Sequence, residues 1–191
     1  PLERNGIMPS KTWKQKTHNL TWYPGDSVNA SIGQGFTLTT PIQLAVMTAG
    51  LATQGEIPIP QVVRSKNKLL SVKRKIEISK ANWNYIHKAM KDVVHSPRGT
   101  ARRLNQGIDY QISGKTGTVQ VIGIKQKEKY DIATTAKKNR DHALFIAFAP
   151  SDNPKIAIAV IIENGGSGSA RAAPAAKKVI EAYMDLYPIA L

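Results

Sequence analysis

Seven consecutive residues, Ile112-Ser113-Gly114-Lys115-Thr116-Gly117-Thr118, hold the densest chemistry in the chain. Two chemistries use such residues and make opposite structural demands. A phosphate-binding loop needs a Gly five residues before the Gly-Lys pair and a helix directly after it, whose amides and positive dipole end hold the phosphates. Asp109 occupies the first position and Thr118-Val119-Gln120-Val121 follows the motif, so the nucleotide reading fails on both counts. The other chemistry places Lys-Thr-Gly on a β-strand. With a period of two, Thr116 and Thr118 point to one face, where two hydroxyls can receive one carboxylate while Lys115 supplies a positive field. Gly117 has no Cβ, which lets a substrate backbone lie against the strand and pair with it as an added strand does. A Gly- and Thr-rich edge strand with a surface Lys would carry the same residues, and the motif alone leaves that reading open.

The elements that must position this strand are legible in outline. Residues 1–38 are punctuated by Pro, Gly and Trp (MPS, WYPGDS, SIGQG) and read as irregular chain with tight turns; no helix or strand is expected there. Residues 39–110 form the helical part. Thr39 or Thr40 can cap a helix with Pro41 first, and Ile42, Ala45, Val46 and Ala49 share one face until Gly55 closes it. Segment 57–63 is extended because each Pro biases its predecessor away from helix. Ser79 caps a second helix whose Trp83, Ile86, Met90, Val93 and Val94 keep the helical period, ending near Ser96-Pro97.

From Gln111 the period becomes two. Strands are expected at 111–121, 143–149 and 155–162, the last two joined by a turn at Pro150–Pro154, and an amphipathic helix at about 170–187. The basic stretch 125–141 is a long loop. Helices, then an antiparallel meander, then a closing helix make an α+β arrangement.

The chain has 191 residues, 41% of them apolar, no Cys, and a net charge of +14. That is enough apolar residue for a packed core, and it excludes disulfides, thiol nucleophiles and Cys-containing zinc sites. Four dispersed His make no metal-ligand spacing, and no cofactor is expected. The charge invites a basic polyanion-binding module as an alternative from a different class. The densest run, Arg64 to Lys75, has Leu and Val as its only apolar residues and no aromatic residue to stack a base, so nucleic acid is not expected as a partner. There is no signal sequence and no long apolar span in these residues.

Six blocks in a fixed order carry a resemblance: WYPGDSVNASIGQGF with TTPIQLA, SPRGTARR, SGKTGTVQV, RDHALFIAFAP and IAVIIENGG. The chain resembles the transpeptidase domain of class B penicillin-binding proteins, most closely the elongation-specific penicillin-binding protein 2 type. In that family a serine attacks the penultimate D-Ala carbonyl of a peptidoglycan stem peptide, D-Ala leaves, and the amine of a neighbouring stem resolves the acyl-enzyme. The resemblance implies that Lys115 is catalytic, that Thr116, Gly117 and Thr118 bind substrate, with the Thr116 and Thr118 hydroxyls on its terminal carboxylate, and that the Thr118 backbone N–H forms half of an oxyanion hole. It gives Arg98-Gly99-Thr100 and Gln34-Gly35 the work of shaping the cleft and supporting the strand. Stem peptides and β-lactams are the implied ligands; a SEDS-family glycosyltransferase and elongation scaffold proteins are the implied partners. The implied location is the periplasmic face of the bacterial inner membrane.

The same resemblance asks for a Ser-x-x-Lys nucleophile and a Ser-x-Asn motif. Ser65-Lys66-Asn67-Lys68 has the first spacing but lies in the most charged run, with no apolar period to bury Lys68 and lower its pKa. Ser27-Val28-Asn29 and Ser151-Asp152-Asn153 imitate the second and read as turns. Residues 1–191 are therefore expected to be the C-terminal part of a single transpeptidase domain, inactive alone, with nucleophile and base before Pro1. The family's sheet has five strands. With only three present, the strand at 155–162 is expected to show an unpaired apolar edge that the remainder of the domain covers. A catalytically silent penicillin-sensing or β-lactamase-like domain is the alternative within the fold. His142 reads as structural, Glu163-Asn164-Gly165-Gly166 as a turn rather than a cation site, and Trp13, Trp22 and Trp83 as packing residues.

Overall fold

The structure is a computed structural model that describes residues 4–61, 72–123, 131 and 133–187. The chain divides into two compact units, Pro1–Gln43 and Leu44–Leu191.

The first unit corrects the expectation of irregular chain: it contains helices α1 (Lys11–His18) and α2 (Pro24–Ser31). The Trp13 N–H donates to the Ser10 side chain at 3.1 Å to start α1, and Asn19, at φ 54°, ends it. In α2, Pro24 occupies the first turn, and the Tyr23 N–H donates to Asp26 Oδ2 at 2.7 Å in a capping box. Pro-Gly-Asp-Ser, which reads as a turn, is the N-terminus of a helix, where those same residues satisfy orphan backbone donors. Ser27-Val28-Asn29 accordingly lies within α2 and not in a turn. Neither helix has an apolar period to betray it. The buried residue of α1 is Lys14, whose Nζ meets Asp26 Oδ2 at 2.6 Å and lies over the rings of Tyr23 and Phe36.

Helix α3 (Pro41–Ala52) starts as its sequence predicts: Gln43 N–H donates to Thr40 Oγ1 at 3.3 Å while the Thr40 N–H donates to Gln43 Oε1 at 3.0 Å. Gly55 closes it at φ 109°, a conformation that favours glycine, and a Cβ there would come within 2.4 Å of the Ile76 carbonyl oxygen. Strands β1 (Glu56–Pro58) and β2 (Val72–Lys75) pair antiparallel, with Glu56 opposite Lys75. The extended segment expected at 57–63 is thus seen at its start; its last two residues lie outside the described residues, as do Ser65–Lys68 and much of the 125–141 loop. Helix α4 (Lys80–His95) is capped by Ser79, which accepts from Asn82 N–H at 3.3 Å, and buries Trp83, Met90 and Val94.

Strands β3 (Ser113–Val119), β4 (His142–Ala149) and β5 (Ile156–Ile162) form one antiparallel sheet in the order β3-β4-β5. Central β4 is buried on both faces. Ala143, Phe145, Ala147 and Ala149 join Ala173, Ala176, Ile180 and Met184 of helix α5 (Ala173–Leu186), while Phe148 packs with Ala52 and Met90. A single π turn, Gly168–Ala172, leads into α5 and starts where the sequence predicts only a Gly-rich turn. Among the described residues no further strand bonds to the outer edge of β5, whose seven residues are all half-buried, in agreement with the expected apolar edge.

Candidate active-site strand

Lys115-Thr116-Gly117-Thr118 lies in the middle of β3. The register against β4 runs without interruption from Ser113 opposite Phe148 to Val119 opposite His142. With no bulge, alternation holds, so Thr116 and Thr118 share one face. Lys115 and Thr118 are exposed and Thr116 is half-buried. Because β3 is the other end strand of the sheet, its outer edge is bonded to no strand among the described residues, and an extended peptide can pair there.

The local chemistry is that of a small polar platform. Lys115 Nζ donates to the Thr116 carbonyl oxygen at 2.6 Å, which brings its charge back along the strand. The hydroxyls of Thr116 and Thr100 are 3.1 Å apart. Two of the strand's glycines are set by packing: a Cβ on Gly114 would come within 2.6 Å of the Phe145 ring, and one on Gly117 within 3.1 Å of Leu144 Cβ. Gly168 approaches from the π turn so closely that a Cβ on it would sit 2.3 Å from the Gly117 carbonyl oxygen. It is the absent side chain at Gly168 that this approach requires, whereas the one at Gly117 leaves room for Leu144 on β4.

The end of α4 grips the start of this strand. The Ile112 N–H donates to His95 Nε2 at 3.0 Å, which requires that nitrogen to be unprotonated. Arg98-Gly99-Thr100 forms the loop after α4, with the Gly99 N–H on the Ser96 carbonyl and the Ala101 N–H on the Val93 carbonyl, both at 2.9 Å. The sequence places this block near the strand only through the family resemblance; nothing in the residues themselves points to a hydroxyl pair spanning sixteen positions. Gln34 and Gly35 lie in the first unit, after α2, with Gly35 at φ 70°.

The remaining candidates are structural. His142 Nδ1 accepts the Asn164 N–H at 2.9 Å, so the ring ties β4 to the turn after β5. Asn164 takes φ 54° and donates its side-chain amide to the carbonyls of Lys138 and Arg140, which makes Glu163–Gly166 a turn. Ser151 lies in the turn between β4 and β5, where its hydroxyl accepts from that of buried Ser113 at 2.9 Å. A cavity of about 590 Å³ beside α4 reaches β3 at Ser113, but Lys115–Thr118 do not line it. Away from the strand, burial pushes the Tyr110 hydroxyl up to about 12, helped by the negative charges of Glu181, Asp109 and Asp185.

This arrangement has counterparts of known kind. Residues 1–181 match the family described as the penicillin binding protein transpeptidase domain. The peptidoglycan D,D-transpeptidase MrdA of Haemophilus influenzae is 37% identical over 93% of this chain, which spans 29% of that relative's length. The crystal structure of Pseudomonas aeruginosa PBP2 in complex with WCK 5153 superposes with a TM-score of 0.74 at 41% identity, covering 95% of this chain and 39% of that one. In the complex of PBP2 with MreC from Helicobacter pylori the TM-score is 0.81 at 28% identity, over 99% of this chain and 33% of that one. A Lys-Thr-Gly-Thr strand at the edge of an α+β fold and a match that runs through residue 181 lead to one statement: this chain belongs to the penicillin-binding protein transpeptidase family.

Proposed function

We propose that this chain is the C-terminal part of a peptidoglycan D,D-transpeptidase of the elongation type, and that β3 is the substrate-binding wall of its active site. The observation that carries the reading is the unbroken β3–β4 register, which presents Thr116 and Thr118 on one face of a strand whose outer edge bonds to no further strand among the described residues. On this reading the stem peptide lies along β3 as an added strand, its terminal carboxylate accepting from the two hydroxyls in the field of Lys115. A serine outside this chain attacks the penultimate D-Ala carbonyl, and the oxygen that gains the electron pair takes a hydrogen bond from the Thr118 N–H. Collapse of that adduct expels D-Ala with a proton on its amine. The amine of a second stem then attacks the acyl-enzyme, forms the cross-link and returns the proton to the serine. One oxyanion donor in such a site is worth roughly 3 kcal/mol of transition-state stabilisation.

The same reading places the whole protein at the periplasmic face of the inner membrane. Its partners there are an elongation scaffold protein and a SEDS-family glycosyltransferase; the scaffold assignment is supported by the MreC complex of the similar PBP2 from H. pylori. Among the described residues no helix is long and apolar enough to cross a membrane.

Covalent labelling with a fluorescent penicillin tests the proposal. The protein that contains this chain should be labelled and should release D-Ala from a stem-peptide donor when an amine acceptor is supplied. The 191-residue chain alone should take up no label. Labelling of the isolated chain would overturn the assignment of the nucleophile to a segment outside it. Labelling of the containing protein without release of D-Ala would favour a penicillin-sensing relative.

A further inference from the structure

We infer that Thr100 is a positioning residue for Thr116, turning the Thr116 proton toward the substrate carboxylate; the inference rests on the carboxylate-binding role proposed above for that hydroxyl. A carboxylate only accepts hydrogen bonds, and a threonine hydroxyl has one proton to give. Thr116 can serve a carboxylate only while that proton points outward. The 3.1 Å contact with Thr100 can run in either direction. If Thr116 donated to Thr100, its proton would be spent inside the protein; if Thr100 donates, the Thr116 oxygen is satisfied as an acceptor and its proton is free for the ligand. A negative charge at the strand selects the second arrangement, because a chain of donors running toward an anion is strengthened at each link.

The loop that carries Thr100 holds it rigidly. Gly99 has no room for a side chain, since a Cβ would lie 2.3 Å from the Val93 carbonyl oxygen and 2.5 Å from that of Asp92. Ala101 and Leu104 on the far side are buried, so the loop is pinned before and after Thr100. Thr116 is held at its carbonyl by Lys115 and at its hydroxyl by Thr100, which leaves little reorganisation when a ligand arrives.

The test compares second-order acylation rates of the containing protein by a penicillin and by its uncharged methyl ester. In T100V the ratio of penicillin to ester rate should fall about three- to tenfold, the value of one hydrogen bond, with the ester rate unchanged. T100S, which keeps the hydroxyl, should restore the ratio. T116V should lower it at least as far, and adding T100V to T116V should change nothing further, since Thr100 acts only through Thr116. If T116V lowers the ratio and T100V does not, Thr100 does not orient Thr116. If T116V leaves the ratio untouched, the carboxylate reading itself fails. T100A replaces T100V should the valine lower both rates together, and an equal fall of both rates in T100A as well would assign Thr100 a purely structural role and overturn the inference.

Discussion

Strand β4 buries Phe145, Ala147, Phe148 and Ala149 completely, whereas in the first unit the buried side chain among the described residues is a cation, Lys14, 4% exposed. The sheet is held by apolar area taken out of water on both faces, a force that is non-directional and forgiving of detail. The Pro1–Gln43 unit is held by a charge-assisted bond from Lys14 to Asp26, by ring faces beneath that ammonium, and by helix caps at Ser10 and Tyr23. Forces of that kind depend on geometry and on protonation. One chain thus contains a region that truncation should wreck and a region that a single proton should loosen.

Truncation in the sheet has the largest expected effect. Phe145 is fully buried between β4 and α5 and lies opposite Thr116 in the register. F145A should cost about 3–5 kcal/mol, the range for a Phe→Ala cavity in a core that cannot collapse fully. Hydrogen exchange of the β3, β4 and β5 amides in the containing protein measures it. A loss under about 1 kcal/mol would mean that the sheet face tolerates a cavity and that apolar burial is not its main support.

The first unit should respond to charge. The Lys14 ammonium, and after it the Tyr23 N–H, hold the Asp26 carboxyl below its ordinary range. A lowered carboxyl contributes stability that is complete above its unfolded pKa and is lost as pH falls through the folded value, that is, below about pH 4. Amides of α1 and α2 should therefore lose protection on acidification before those of the sheet do. D26N should remove that pH dependence and lower protection at neutral pH, since it leaves Lys14 buried without a countercharge. Equal acid sensitivity of wild type and D26N in these two helices would remove the Lys14–Asp26 pair from the account.

The same contrast explains what could be read from residues alone. Short unbroken apolar runs in ALFIAFA and KIAIAVII, bounded by turn residues, mark strands because burial on both faces demands them, and helices α3 and α4 announce themselves through caps and an apolar face. Lys-Thr-Gly-Thr on β3 is legible because its alternation is a local property of a regular strand. Helices α1 and α2 are not legible, because KTWKQKTH buries a lysine and PGDSVNAS begins with residues that serve turns and helix starts equally well. Thr100 and Gly168 are hidden for a further reason. Each meets the motif strand through a contact far apart in sequence, the first by a hydroxyl, the second by the absence of a side chain, and neither contact has a periodicity to reveal it.

Tyr110 combines both regimes in one side chain and has the smallest expected effect at neutral pH. Its ring packs against the apolar core, while its hydroxyl is buried with no hydrogen-bond partner among the described residues. Burial, with Glu181, Asp109 and Asp185 adding negative charge, disfavours the tyrosinate and pushes the group up to about 12. Because the folded pKa is raised, the stability tied to the neutral phenol is fully present below the unfolded value near 10 and is lost as pH rises toward about 12. Y110F removes only the unpaired hydroxyl, so at neutral pH stability should be unchanged or slightly higher. Above pH ~10 the variant should outlast the wild type, because it has no phenol left to ionise. The difference in tyrosinate absorbance between the two proteins isolates this one ring from the other five tyrosines. A difference that titrates at the ordinary tyrosine value would show that water reaches the hydroxyl and that this edge of the core is not closed.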